Sequence, residues 1–327
     1  MIKTGSALLL SIFLFSACEK IDRPYDLPLP GNVERAEITM GEDYETQVYF
    51  HFEDKKQYSE NVNEWELAFE TAASSFLIRM NGGKQVQVFN TGSTDFSQSF
   101  TVNGISWRWD SPDGNPDSVV FREWINPATL ISSNLVFLVD RGPDTAPERY
   151  KKVQVLSVDD KEYKMVFANP DGSGLINYSV PKDSSFNYTR FSFQAGGKLI
   201  TTAPAKEKYD ILFTRYRYIY YEFIPPLPYS VNGVLINPYE TSVAVDSVTS
   251  FENIDYNFAK TMTFRSDFDA IGFDWKAYNF TTAYYEVNSY KCYVLKDHKG
   301  VYYKFRFIDF YNSQGLKGSP EFEFQRL

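Results

Sequence analysis

Residues 290–310 read Tyr-Lys-Cys-Tyr-Val-Leu-Lys-Asp-His-Lys-Gly-Val-Tyr-Tyr-Lys-Phe-Arg-Phe-Ile-Asp-Phe. Two alternating runs flank Asp297-His298-Lys299-Gly300, whose residue types favour a tight turn, so the stretch predicts a β-hairpin. Side chains alternate across a strand with period two. Val301, Tyr303, Phe305 and Phe307 therefore share one face, suited to a core. Tyr302, Lys304 and Arg306 share the other, which is expected to be solvated or half-buried. Glu321 to Gln325 repeats the alternation, which predicts that the chain ends inside a sheet with Phe322 and Phe324 in the core. The stretch decides architecture and leaves chemistry open.

The rest of the chain extends the same reading. Aromatic residues make up 17% of the 327 residues, and no long stretch spaces its apolar residues as a helix does. Aromatics favour strands, so the expected fold class is all-β, built of antiparallel sheets and hairpins. The net charge is −9. That argues against nucleic acid, which needs a basic footprint.

The N-terminus carries its own signal. Lys3 precedes an apolar run from Ala7 to Phe15, too short to span a bilayer as a helix. Leu14-Phe15-Ser16-Ala17-Cys18 resembles a bacterial lipobox, in which the cysteine is lipidated and becomes the first mature residue. Residues 1–17 then form a signal peptide and Cys18 the lipid anchor of an outer-membrane lipoprotein, expected at the cell surface. Pro24, Pro28, Pro30 and Gly31 mark residues 18–35 as a tether. With Cys18 acylated, Cys292 is the remaining thiol, expected to be buried and structural.

Beyond the tether, residues 36–200 and 201–327 reuse one vocabulary. Tyr209-Asp210-Ile211-Leu212-Phe213 echoes Trp65-Glu66-Leu67-Ala68-Phe69. Asn232-Gly233 echoes Asn81-Gly82, and Gly272 to Lys276 echoes Gly104 to Arg108. Phe137 to Asp140 followed by Tyr150-Lys151 is echoed by Tyr293 to Asp297 followed by Tyr303-Lys304. The order is kept while the spacing drifts, as two related β halves with altered loops would give. Ser250 to Ile254 is expected to open a short helix.

No His/Cys cluster has zinc spacing. The two histidines, His51 and His298, fall on a strand and in a tight turn, neither a position for a Ser–His–acid site. No glycine loop precedes a helix as phosphate binding requires. Enzyme activity is not expected. The segment Thr214 to Tyr221 places Tyr216, Tyr218 and Tyr220 on one strand face and Arg215 and Arg217 on the other. The tyrosines suit either stacking on a flat ligand or a cross-strand ladder. The arginines suit acidic groups such as propionates.

Several of these segments together resemble a known family. They are Tyr209 to Tyr216, Tyr229 to Leu235, the hairpin at Asp297–Gly300, Tyr303 to Phe307 and the close before Phe322-Glu323-Phe324. In these features the chain is similar to the HmuY-like lipoproteins of Bacteroidota, most clearly over residues 205–327 and more loosely over Trp65–Gly83. Residues 105–200 carry no counterpart. The resemblance implies a mostly β surface protein that binds haem and passes it to an outer-membrane, TonB-dependent receptor. It also implies axial histidine or methionine ligands. Of Met40, Met80, Met165, Met262 and the two histidines, Met262 and His298 lie in the family-like region and are the candidate haem ligands. The alternatives are an accessory or structural subunit of an outer-membrane complex, and glycan binding by the exposed tyrosines.

Overall fold

The computed structural model describes residues 29–143 and 148–327. The signal peptide, Cys18 and the first part of the tether lie outside the described residues. The opening strands are β1 (Glu34–Glu37), β2 (Thr46–Phe50) and β3 (Gln57–Asn61). Then come β4 (Leu67–Glu70), β5 (Ile78–Met80), β6 (Gln87–Asn90), and the short pair β7 (Ile125–Asn126) and β8 (Ile131–Ser132). A meander follows: β9 (Val136–Asp140), β10 (Tyr150–Val158), β11 (Glu162–Ala168) and β12 (Ile176–Pro181). The middle of the chain holds β13 (Tyr188–Ser192), β14 (Lys198–Ile200), β15 (Ile211–Tyr220), β16 (Leu227–Ile236) and β17 (Ser242–Asp246). The last five are β18 (Lys276–Asn279), β19 (Tyr284–Val287), β20 (Cys292–Lys296), β21 (Tyr302–Tyr311) and β22 (Lys317–Arg326). Every pairing is antiparallel.

The expectation of a mostly β fold of antiparallel sheets holds. So does the deciding hairpin: Cys292 pairs with Arg306 and Lys296 with Tyr302 across it. Tyr303, Phe305 and Phe307 are buried in one core with Phe322 and Phe324. On the opposite face Tyr302 and Arg306 are half-buried as expected, but Lys304 is 3% exposed. A 3-10 turn, Phe251–Asn253, and the helix α1 (Tyr256–Ala259) cover that face. The Lys304 ammonium donates to the Phe251 and Ile254 carbonyls at 2.7 and 2.9 Å, which satisfies its buried donors. Ser250 precedes that turn as expected but makes no side-chain cap; Asp255 caps α1 instead, accepting from Phe258 N at 2.8 Å. Cys292 is buried, in keeping with a structural role.

Two cores divide the chain otherwise than at residue 200. One gathers Leu67 to Phe193. The other gathers Ile38 to Phe52 together with Ile211 to Phe324. The correction has a simple cause: β2 pairs with β15, and β1 with β22, so the opening strands complete the C-terminal body. Each body is a sandwich of one four-stranded and one five-stranded sheet. The orders are β14-β13-β4-β5 with β12-β11-β10-β9-β6, and β3-β2-β15-β16 with β1-β22-β21-β20-β17. Strand for strand, β4 through β14 therefore match β15 through β22 followed by β1 through β3, with the two short pairs set aside. The chain is a repeat in circularly permuted form, one copy nested inside the other.

Buried polar groups bear out the match. Lys152 on β10 is fully buried and donates to the Phe96 and Gln98 carbonyls, as Lys304 on β21 does to its own connecting segment. Glu66 accepts from Phe193 N at 3.0 Å, and Asp210 accepts from Phe52 N at 2.7 Å. Asn81 donates to the Val62 and Trp65 carbonyls, and Asn237 to those of Lys206 and Tyr209. One of the sequence echoes, Trp65–Phe69 with Tyr209–Phe213, was thus in register, and a second was one residue out, since the match of Lys152 with Lys304 sets Tyr150 against Tyr302 rather than Tyr303. Two others were not: the partner of Asn81 is Asn237 rather than Asn232, and Arg108, bridged to Val88, is matched by Arg265, bridged to Val243. Aromatic-rich strands offer many such near-coincidences.

The matched carboxylates differ in their surroundings, and this gives a pH prediction. Asp210 is 1% exposed, and among the described residues its Oδ1 has no hydrogen-bond partner and no cation is bonded to it. Burial pushes its carboxyl up to about 6, with Asp297 and Glu53 adding to the rise and the Phe52 amide and His51 opposing it. A carboxyl raised on folding contributes stability below the unfolded value near 4, and that contribution is lost as pH rises through about 6. The shift of roughly two units corresponds to at most about 3 kcal/mol. Asp210→Asn should therefore raise the unfolding free energy at pH 7.5 and change it little at pH 4. Chemical denaturation at the two values tests this; equal effects at both would remove the assignment.

Candidate functional site

The two four-stranded sheets face each other, and this explains why Tyr49, expected to point outward from β2, is 1% exposed; His51, expected outward as well, is 3% exposed and is held by Asp54 of its own hairpin. The face opposite the core meets the other copy. Arg190 of β13 donates across the junction to Glu60 and to the Tyr49 hydroxyl, while Tyr49 donates to Glu60 at 2.6 Å. Thr202 and Gln47 also donate to Glu60.

Beside this network the junction holds a partly open cavity of about 170 Å³. Its aromatic wall is Trp65, Trp109, Tyr188, Tyr209, Tyr216 and Phe268. Four arginines also line it: Arg79, Arg190, Arg215 and Arg217. Arg79 lies 5.0 Å over the Phe268 ring, Arg190 5.0 Å over Trp65, and Arg217 5.5 Å over Trp109. Arg79 and Arg190 are matched by Glu70 and Glu60. Asp110 is the only acid among the lining residues. It accepts from Met80 N and Val120 N at 2.9 and 2.8 Å, and burial pushes its carboxyl up to about 6.

The long hairpin of β15 and β16 supplies one side of this cavity. Where β4 and β5 are short, β15 and β16 run ten residues each. The extra length carries Arg215, Tyr216 and Arg217 over the turn at Asn81-Gly82-Gly83. A Cβ on Gly83 would sit 2.5 Å from the Arg215 carbonyl oxygen and 2.6 Å from Val62 Cγ2, so only glycine allows this approach. Farther out the tyrosines form a ladder: Tyr218 and Tyr220 rings are 5.0 Å apart, and Tyr220 and Tyr229 6.2 Å. The tip exposes Tyr221, Phe223, Leu227 and a fully exposed Ile224.

The candidate haem ligands lie elsewhere. Met262 follows α1 and packs against the small cluster of Phe251, Ile254 and Val294. His298 stays in its turn with its ring 5.6 Å from Tyr239 and its Nδ1 without a partner. Neither lines the cavity. His51 is held by Asp54 at 2.7 Å. Met80, which the sequence reading counted but did not single out, does line the cavity, though it is 8% exposed and packed in the first core. Among the described residues no group of three His, Cys, Asp or Glu side chains is placed to hold a metal ion. The walls thus offer aromatic and cationic groups to the acid-bearing edge of a flat ring, and beyond the one sulfur of Met80 they offer no ligand for an iron.

Two nested β-sandwiches with a cavity at their junction define the class of protein by its architecture. The chain belongs to the HmuY family, whose model, described as HmuY protein, matches residues 43–324. Among solved structures it is similar to a putative HmuY-like heme binding protein from Bacteroides vulgatus. The identity is 12%, over 89% of this chain and 90% of that one, with a TM-score of 0.20. The apo HmuY analog of Tannerella forsythia shares 9% identity over 91% and 98% of the two chains, at a TM-score of 0.25. Apo PinO from Porphyromonas gingivitis shares 10% over 90% and 97%, also at 0.25. No curated protein matches the chain.

Proposed function

We propose that this chain is a non-enzymatic binding protein of the cell envelope, anchored through Cys18 at the outer-membrane surface. It takes haem or a related acidic tetrapyrrole for delivery to an outer-membrane receptor. The observation that carries the reading is the junction cavity, whose aromatic walls and arginines suit a ring bearing carboxylates. The family supports it, since a HmuY-like neighbour is described as heme binding. At about 170 Å³ the cavity is smaller than typical small-molecule pockets of roughly 300–1,000 Å³. It suits the acid-bearing edge of a tetrapyrrole rather than the whole macrocycle.

Hemin titration of the soluble form, followed in the Soret region, tests the ligand. A saturable one-to-one shift is expected, and a flat titration in both iron oxidation states ends the proposal. Fractionation tests the anchor: Cys18→Ala should leave the outer-membrane fraction, and unchanged fractionation removes it. A second reading, an accessory subunit of a membrane complex, is favoured by one feature only, the exposed Phe223, Ile224 and Leu227 at the hairpin tip.

A further inference from the structure

Arg217 sets this cavity apart from an ordinary packed junction. It is 7% exposed and lines the cavity. Among the described residues its side chain makes one hydrogen bond, from Nη1 to the Val86 carbonyl at 2.9 Å. Among the described residues it makes no ion pair, and Asp140 and Asp110 act on it only from a distance. A guanidinium has five N–H donors in a rigid fork suited to a carboxylate. A buried charge without a counter-ion is strongly unfavourable, and burial lowers this arginine to about 10, still a cation at neutral pH.

Among the described residues, three lining residues also carry a closed-off polar atom with no hydrogen-bond partner: Trp65 Nε1, Arg215 Nε and the Tyr216 hydroxyl. Arg215 is bonded only to neutral oxygens, those of Asn63 and the Asp43 carbonyl. The lining therefore holds two arginines without a paired acid against the single carboxylate of Asp110, inside a protein whose net charge is −9. Buried polar groups are normally satisfied, so a lining with two arginines that lack a paired acid describes an anion that is missing.

We infer that the junction cavity binds the carboxylate of an aromatic acid, with the Arg217 guanidinium as its counter-charge, and that recognition does not depend on a metal. The absence of imidazole from the wall agrees with this, and Met80 lies within the first core. Binding supplies Arg217 with the anion it lacks, beside the Trp109 ring on which the guanidinium rests. The inference rests on the proposed function only for the tetrapyrrole; the acid-binding site stands by itself.

The test uses quenching of tryptophan fluorescence by matched probes in the soluble form. The pairs are 2-naphthoate with 2-naphthamide, and metal-free protoporphyrin IX with its dimethyl ester; hemin is titrated alongside. The acids are expected to bind at least tenfold more tightly than their neutral partners. Arg217→Gln should bring each pair close to parity. That variant removes an unpaired buried charge, so its far-UV circular dichroism and thermal midpoint should be kept or improved. Arg217→Lys, which keeps the charge but not the fork, should fall between.

No acid preference in the wild type overturns the inference, as does a preference that survives in Arg217→Gln. Binding of hemin without protoporphyrin IX or naphthoate would show iron-led recognition, overturning the inference while leaving the proposed function standing. Naphthoate selectivity without any tetrapyrrole binding gives the reverse result.

Discussion

A chain ended after Gly318 is expected to yield no soluble folded protein. The cut removes most of β22, the strand that lies between β21 and β1. Phe322 and Phe324 go with it, at 0% and 3% exposed. Their rings sit 5.1 and 5.7 Å from Phe50, and that of Phe322 lies 5.7 Å from Phe213. Truncating one buried phenylalanine to alanine costs about 3–5 kcal/mol. Losing two consumes most of the roughly 5–15 kcal/mol by which a native domain is stable. The cut also strips β1 of its only sheet neighbour among the described residues. Frayed termini usually tolerate removal, so a truncated protein with unchanged solubility and thermal unfolding would refute this account of the C-terminus.

Glu66→Ala should be the most damaging single substitution at a charged site, costing about 3–5 kcal/mol. Glu66 is fully buried. Its Oε1 accepts from Arg141 Nε and Nη2 at 3.1 and 2.9 Å and from Lys84 at 2.5 Å, while Oε2 takes the Phe193 amide. Alanine would leave the Arg141 guanidinium, 5% exposed, without its carboxylate. Glu66→Gln keeps the shape and an acceptor, and should recover part of the loss. The comparison with Asp210 sharpens the test. The two carboxylates hold equivalent places, yet neutralising Glu66 should destabilise and neutralising Asp210 should stabilise at neutral pH. Urea unfolding of the two amide variants side by side decides it, and changes of the same sign would mean that the local cations do not set the difference.

The final hairpin was legible because alternation reports directly on one buried face. Alternation says nothing about what covers the other face, so Lys304 was expected to be solvated or half-buried, and Tyr49 and His51 to point outward. Covering elements come from distant sequence: Phe251 and Ile254 over Lys304, and β13 over β2. The repeat was visible in its strongest strands, while its permutation was not. Local similarity shows that two segments are alike and leaves open which strands close each sandwich. Residues 105–200 had no counterpart in the resemblance and hold much of the nested copy. The site was half-legible. Arg215 and Arg217 were marked as partners for acids, but the cavity draws on separate segments near residues 65, 80, 110, 190, 212 and 236, which no spacing rule connects.

The nesting of one copy inside the other sets an order of assembly. Strands β4 to β14 are contiguous, so that sandwich can form from nearby partners once residue 200 has been made. The enclosing sandwich must bring Phe50 to Ile211 and Glu34 to Phe324. Such distant pairings slow folding, because the chain between them must be closed before any contact rewards it. A folded insert shortens that closure, since it replaces a long coil with a compact body whose ends are already close. Refolding should then proceed in two kinetic phases, the nested copy first, and defects in it should delay the outer copy without touching a residue of its core.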